Sequence, residues 1–215
     1  MRQAKLKKTT LPKKLKDLEQ EYDNWYRKFP KKWVIPRRDM FIVESLRPYG
    51  PFHSILDVGC GNGHTLVVLR EAYPEANLYG LDLSSVGLKQ AKQKVPSLHT
   101  VHNSLERFKP DEPIDLIVNL GTMEHVEKIE EGLQHLIKLN PKYCYFEAPN
   151  NLAYSPGEEG YKRLSCGSRQ IEWHLTRNSW EKLFKKAGLI IEKSLKGDRP
   201  PWEFVWILRC GNQSM

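Results

Sequence analysis

Ile55-Leu56-Asp57-Val58-Gly59-Cys60-Gly61-Asn62-Gly63-His64 reads as a strand that runs into a glycine-rich turn and out into a helix. The apolar run Ser54–Val58 is short and bounded by turn residues, the pattern of an interior strand. Helical spacing follows over residues 63–72. Glycines give the turn access to positive φ and leave no Cβ between the main chain and a ligand. In open α/β sheets, ligands bind at the carboxyl ends of the strands, where this turn lies.

Outward from the turn the rhythm continues. Residues 77–81 (NLYGL), 98–102, Leu116–Leu120 (LIVNL) and 143–148 (YCYFEA) read as further strands, and residues 86–94 and 126–139 as helices. Val126, Ile129, Leu133, Leu136 and Ile137 form one apolar stripe on the second of these helices. Apolar strands joined by helices predict a parallel sheet covered on both faces, with right-handed crossovers. Residues 149–175 break the pattern with Pro149, Asn150, Asn151, Pro156, Gly157, Gly160 and Gly167, and read as a long functional loop. A helix then starts near Asn178, which has capping-box spacing to Glu181, and Gly188 stops it. The closing strands Leu189–Lys196 and 202–210 pair antiparallel, because residues 197–201 are too few for a parallel crossover.

On the other side, Lys13–Lys28 reads as a helix with Leu15, Leu18, Tyr22 and Trp25 on one face, and Pro36 opens a second helix. The 215 residues suit one core, so residues 1–50 form a basic tail with N-terminal helices and residues 51–215 form one α/β domain. Charge is uneven. Residues 1–50 hold 14 Lys+Arg against 6 Asp+Glu, a net of +8, whereas residues 51–215 hold 20 of each. The basic segment is either a solvated tail or an attractor for nucleic acid, an acidic protein or an anionic surface. No apolar run is long enough to span a membrane, and no secretory signal precedes the domain. The four cysteines form neither a CxxC pair nor a zinc pattern, which suggests reduced thiols and a cytoplasmic location.

Nineteen residues after Gly63, at the end of the second strand, stands Asp82. An acid there accepts both hydrogens of a ribose diol. The register Gly59-x-Gly61-x-Gly63-His64 lacks the third glycine of a dinucleotide site. Asp57, two residues before the first glycine, suits an ammonium better than a pyrophosphate, which disfavours an NAD-linked oxidoreductase.

Asp57-Val58-Gly59-Cys60-Gly61-Asn62-Gly63 resembles the first motif of class I S-adenosylmethionine-dependent methyltransferases, and Asp82 resembles their ribose-binding acid. Residues 119–126 (NLGTMEHV) resemble their fourth-strand motif, and residues 181–189 (EKLFKKAGL) the helix before their final hairpin. The likeness runs over roughly residues 50–210. It implies a Rossmann-like, doubly wound sheet of seven strands in the order 3-2-1-4-5-7-6, strand 7 antiparallel. It implies that Asp57, Gly59 and Gly61 hold the methionine portion of S-adenosylmethionine and Asp82 the ribose, with Cys60 and Gly63 also in the cofactor site. Leu83, Ser104 and Leu105 would border the adenine, and Asn119 would touch the methionine end.

Methyl transfer from a sulfonium needs alignment more than acid–base chemistry. A base helps where the acceptor carries a proton, and His125, His174 and Glu147 are the candidates, each with packing or capping as its plainer role. No metal is expected, since Gly121-x-x-Glu124-His125 lacks the first carboxylate of the ExxEH set found in some relatives. The [DNS]PP[YFW] stretch of base-amino methyltransferases is missing after the fourth strand, and neither Cys144 nor Cys166 has the setting of a nucleophile. Trp25, Tyr26, Phe29 and Trp33, with Tyr154, Tyr161 and Trp173, stand where such enzymes build a lid. The expected acceptor is an O or N atom of a small molecule. The alternatives are an RNA or protein acceptor recruited by the basic N-terminus, and a non-catalytic scaffold.

Overall fold

The structure is a computed structural model that describes residues 13–29, 36–154, 159–163, 170–196 and 203–211. Residues 1–11, Trp33, Cys166 and residues 197–201 lie outside that set, as do the side chains of Tyr154 and Tyr161. The helices are α1 (Lys13–Lys28), α2 (Pro36–Leu46), α3 (His64–Ala72), α4 (Ser85–Lys94), α5 (Ile129–Lys138), α6 (Asn151–Tyr154) and α7 (Arg177–Ala187). The strands are β1 (Ser54–Val58), β2 (Asn77–Asp82), β3 (His99–His102), β4 (Leu116–Leu120), β5 (Tyr143–Pro149), β6 (Gly160–Arg163), β7 (Ile171–His174), β8 (Leu189–Lys196) and β9 (Glu203–Cys210).

Seven strands form one sheet in the order β3-β2-β1-β4-β5-β9-β8, and β6 and β7 form a separate hairpin. The first five strands run parallel, while β9 is antiparallel to both β5 and β8. This is the sheet implied by the resemblance, with two extra strands inserted before the last helix.

Period-two alternation divides the core between the two faces. Leu56, Ile117, Phe146, Trp206 and Leu208 point to one face, where α5 and α7 cover them with Leu133, Leu136, Trp180 and Phe184. Ile55, Leu78, Leu116, Val118, Tyr145 and Ile207 point to the other, beneath Ile42 and Leu46 of α2, Leu66 and Leu69 of α3, and Leu88 and Ala91 of α4. Strand order reverses between β1 and β4, so the crevice above their carboxyl ends is the switch point where such sheets bind ligands.

Three sequence expectations change. Residues 149–175 contain α6 and the β6–β7 hairpin rather than a featureless loop; Gly160 stands opposite His174 and Tyr161 opposite Trp173. The last helix starts two residues earlier than Asn178 suggested, because Thr176 caps it: the Ser179 amide donates to Thr176 Oγ1 at 3.2 Å. Glu181, freed from a capping box, accepts from Trp206 Nε1 at 3.0 Å. The helix expected at Val126 starts at Ile129, since Met123–His125 form a 3-10 turn. Asn119 builds that turn by accepting from the Met123 amide at 3.1 Å.

Candidate active site

The turn after β1 puts Gly59, Gly61 and Gly63 at φ of 71°, 52° and 74°, all in the left-handed region. Side chains are excluded there by their neighbours as well as by conformation. A Cβ on Gly59 would strike the Thr122 side chain, and one on Gly61 would strike the Tyr26 hydroxyl. The Gly59 and Cys60 amides donate to Leu81 O at 2.8 and 3.1 Å, which ties the turn to the end of β2. Burial keeps the Cys60 thiol protonated, reinforced by the charges of Asp82 and Asp57.

Asp82 ends β2 and is 9% exposed. Its Oδ2 accepts from the Gly61 amide at 2.8 Å and its Oδ1 from the Ser84 amide at 2.7 Å. Burial pushes its pKa up to about 6 even so. A carboxylate has about four lone-pair sites, so two acceptor positions are left for a diol. Asp57 is buried at 2% exposure in β1, in register with Gly80 and Val118. A Cβ-free bend beside two buried carboxylates fits a nucleoside joined to an amino acid; nothing in it favours a pyrophosphate.

Beyond the adjacent strands, Ser104 and Leu105 follow β3 at 7% and 6% exposure, with Leu105 in the core. His102 bonds the Leu83 carbonyl at 2.9 Å and also pairs with Glu19 of α1 at 2.9 Å. Asn119 is fully buried and donates from Nδ2 to Glu147 O at 3.3 Å, so both ends of its side chain hold the β4 turn.

The sequence did not single out Tyr22 and Asp23, which make α1 part of the site. Asp23 fastens α1 to the start of α4. It accepts from Ser84 Oγ at 2.6 Å, Ser85 Oγ at 3.0 Å and the Val86 amide at 3.0 Å. Burial alone would raise the Asp23 pKa, but these bonds outweigh it and hold it below the usual range. Tyr26 then lies on Gly61, and burial, with the charges of Asp82, Glu124 and others, holds the neighbouring Tyr22 hydroxyl protonated. No local pattern marks Asp23, which lies about 100° around the helix from Tyr22 and off the face of Leu15, Leu18, Tyr22 and Trp25. Asp23→Ala removes these bonds, so we expect S-adenosylmethionine affinity to fall about tenfold in calorimetry, for charge-assisted bonds of ordinary strength.

On the other lip, the 3-10 turn after β4 meets the hairpin. His125 Nδ1 donates to Ile171 O at 2.7 Å, and Trp173 Nε1 donates to Val126 O at 3.0 Å. His174, expected at the end of the long loop, instead ends β7, buried, with Nε2 at 3.2 Å from Glu172 Oε2. Glu147 is 5% exposed in β5, and its carbonyl receives the Gly121 amide at 3.2 Å. Glu124, noted in sequence only for the metal ligand set it failed to complete, is 2% exposed. Burial, followed by the charge of Glu172, raises its pKa to about 8. Among the described residues no cluster of three or more His, Cys, Asp or Glu is arranged to hold a metal ion, and no helix is long and apolar enough to cross a membrane.

The Asp82 pKa gives a signed pH dependence. On the expectation that a ribose diol donates to the ionised carboxylate, cofactor affinity should be constant above pH of about 6 and fall below it. Stability of the free protein moves the other way. The folded pKa lies above the unfolded value of 3.8, so this group costs stability as pH rises from there through about 6. Calorimetric titrations between those limits, beside thermal melts, separate the two effects.

A family model described as a methyltransferase domain matches residues 56–140, from β1 to the end of α5. A trans-aconitate 2-methyltransferase of Azoarcus sp. (strain BH72) is 30% identical over 198 residues, covering 79% of this chain and 76% of that protein. Among solved structures, the fold is similar to the 1,6-didemethyltoxoflavin-N1-methyltransferase of Burkholderia thailandensis, solved with bound 1,6-didemethyltoxoflavin and S-adenosylhomocysteine. That match has a TM-score of 0.71 at 13% identity and covers 95% of this chain and 93% of that one. An S-adenosylmethionine-dependent methyltransferase of Clostridium acetobutylicum ATCC 824 gives a TM-score of 0.69 at 14% identity, covering 90% and 99%. With its bare bend, its paired carboxylates and these relatives, the chain belongs to the class I S-adenosylmethionine-dependent methyltransferases.

Proposed function

We propose that the enzyme methylates an oxygen or nitrogen atom of a small molecule. The observation that carries this reading is the covering of the crevice from both lips. On one side α1 is fastened through Asp23 with Tyr26 seated on Gly61. On the other, β7 is fastened through His125 and Trp173. A crevice roofed in this way suits a small acceptor better than a folded polymer. The relative that acts on trans-aconitate, as its name states, supports the same class of acceptor.

In this reading residues 59–63 and Asp57 cradle the methionine portion, and Asp82 takes the ribose diol. Leu83, Ser104 and Leu105 flank the base, and Asn119 acts by shaping the β4 turn beside the methionine end. The bound cofactor supplies an already activated methyl group. The work of the chain is to align the acceptor and exclude water, and alignment alone supplies about 7–11 kcal/mol. Among His125, His174 and Glu147, His174 is the best placed to take a proton: its Nδ1 has no hydrogen-bond partner, whereas His125 Nδ1 is committed to Ile171.

The test is transfer from radiolabelled S-adenosylmethionine into metabolite, RNA and protein fractions. Label in the metabolite fraction is expected. Label confined to RNA or protein, lost when residues 1–12 are deleted, would instead support recruitment by the basic N-terminus.

A further inference from the structure

Helix α1 lays a hydrogen-bond donor on the cofactor bend. The Tyr26 ring crosses from the first turn of α4 to the bend. Its Cδ2 lies 3.2 Å from the place of a Cβ on Gly87, and its Cε1 and Cζ lie 3.2 and 2.9 Å from the place of one on Gly61. The hydroxyl oxygen reaches furthest and rests on Gly61. Gly87 is packed on the same bend, with the Gly61 carbonyl 3.0 Å from its own Cβ position. Only glycines admit a phenol ring at both places.

The ring is held there from several sides. Asp23, three residues earlier, bonds Ser84, Ser85 and the Val86 amide. Gln90 Nε2 of α4 donates to the Tyr26 carbonyl at 3.4 Å, and the Trp25 ring meets Tyr26 edge-on with centroids 5.1 Å apart. Ser84, whose hydroxyl bonds Asp23, also gives its amide to Asp82 Oδ1, while Asp82 Oδ2 takes the Gly61 amide. Helix α1, the ribose acid and the bend are thus one hydrogen-bonded unit, with the Tyr26 hydroxyl at the end assigned to the methionine portion.

That hydroxyl is uncommitted. Burial, followed by the charges of Asp82, Cys60, Tyr22 and Asp57, holds it protonated, so it is a donor at neutral pH. Among the described residues it makes no hydrogen bond. Tyrosine hydroxyls withdrawn from water normally find a partner. The methionine portion of the cofactor brings an ammonium, which has donors only, and a carboxylate, which has acceptors only. Only an acceptor satisfies the phenol proton, and the carboxylate is the acceptor on offer.

We propose that the Tyr26 hydroxyl donates to the α-carboxylate of S-adenosylmethionine, so that α1 selects a nucleoside carrying an intact amino-acid end. This rests on the cofactor seating above, in which Gly61 lies beside the methionine portion.

Titration calorimetry compares S-adenosylmethionine with its decarboxylated form, which keeps the nucleoside, the sulfonium and the amine. Tyr26→Phe keeps the ring and removes only the hydroxyl. It should weaken S-adenosylmethionine binding about tenfold, the scale of a lost bond to a charged group, and leave the Kd for the decarboxylated ligand within about twofold of the wild-type value. A role of Tyr26 in packing alone would weaken both ligands alike. Equal losses for the two ligands, or no loss for S-adenosylmethionine, would overturn the assignment of the hydroxyl and leave the cofactor seating standing. A wild-type protein that binds neither ligand would overturn the seating itself. Crystals of the wild type with S-adenosylhomocysteine give a check that needs no variant. The Tyr26 oxygen should lie about 2.5–2.7 Å from a carboxylate oxygen, and a carboxylate held elsewhere would overturn the assignment.

Discussion

Gly61→Val is expected to abolish S-adenosylmethionine binding. Gly61 has φ of 52°, a region closed to β-branched residues except at a cost of about 1–3 kcal/mol. The new Cβ would also strike the Tyr26 hydroxyl, so α1 must lift or the bend must move. Either movement disturbs Asp82, because the Gly61 amide is one of the two donors that orient its carboxylate. Gly61→Ala carries the same conformational cost with less bulk, so it should bind weakly. Calorimetry gives the affinities, and thermal melts establish that the variants are folded. A folded Gly61→Val protein with ordinary affinity would mean that the bend does not approach the cofactor.

Asp82→Ala should weaken cofactor binding by about 10- to 100-fold, since hydrogen bonds to a charged group contribute about 1.5–3 kcal/mol. Part of that loss would come from the bend, whose Gly61 amide loses its acceptor. Asp82→Asn separates the two contributions. The amide keeps one acceptor oxygen for the backbone but can no longer receive two hydroxyls. Its stability should stay near that of the wild type at neutral pH. The ionised carboxylate is itself costly there, with a pKa of about 6 against 3.8 when unfolded. That difference corresponds to about 3 kcal/mol, offset by the amide bonds that are weakened. A large affinity loss with little change in melting temperature is therefore expected of Asp82→Asn, and unchanged affinity would count against the ribose assignment.

What the sequence made legible was what local pattern dictates. The apolar run Ser54–Val58, the three glycines and Asp82 reveal the bend and its acid, because positive φ and the close approach of Thr122, Tyr26 and Ala91 demand glycine at those places. The antiparallel close of the sheet followed from the short connection before β9. The hairpin within residues 149–175 was hidden because its strands are four residues each and sit among Pro and Gly, which local pattern reads as loop. The α7 cap was misplaced for a related reason: Thr176 and Asn178 are both good caps, and only the geometry selects Thr176. The roles of Tyr22, Asp23 and Glu124 were out of reach, since each depends on a distant partner. Asp23 meets residues 84–86 more than sixty positions along the chain, and the character of Glu124 comes from burial against β7. A helix face tells that it is covered, not by what.

The most direct measurement is a crystal structure with S-adenosylhomocysteine bound. Both ribose hydroxyls should lie within about 2.5–2.9 Å of the Asp82 carboxylate, the range of charge-assisted bonds, with the amino-acid end against residues 59–61. A nucleoside seated away from Asp82, or a ligand phosphate packed into the bend, would contradict the account.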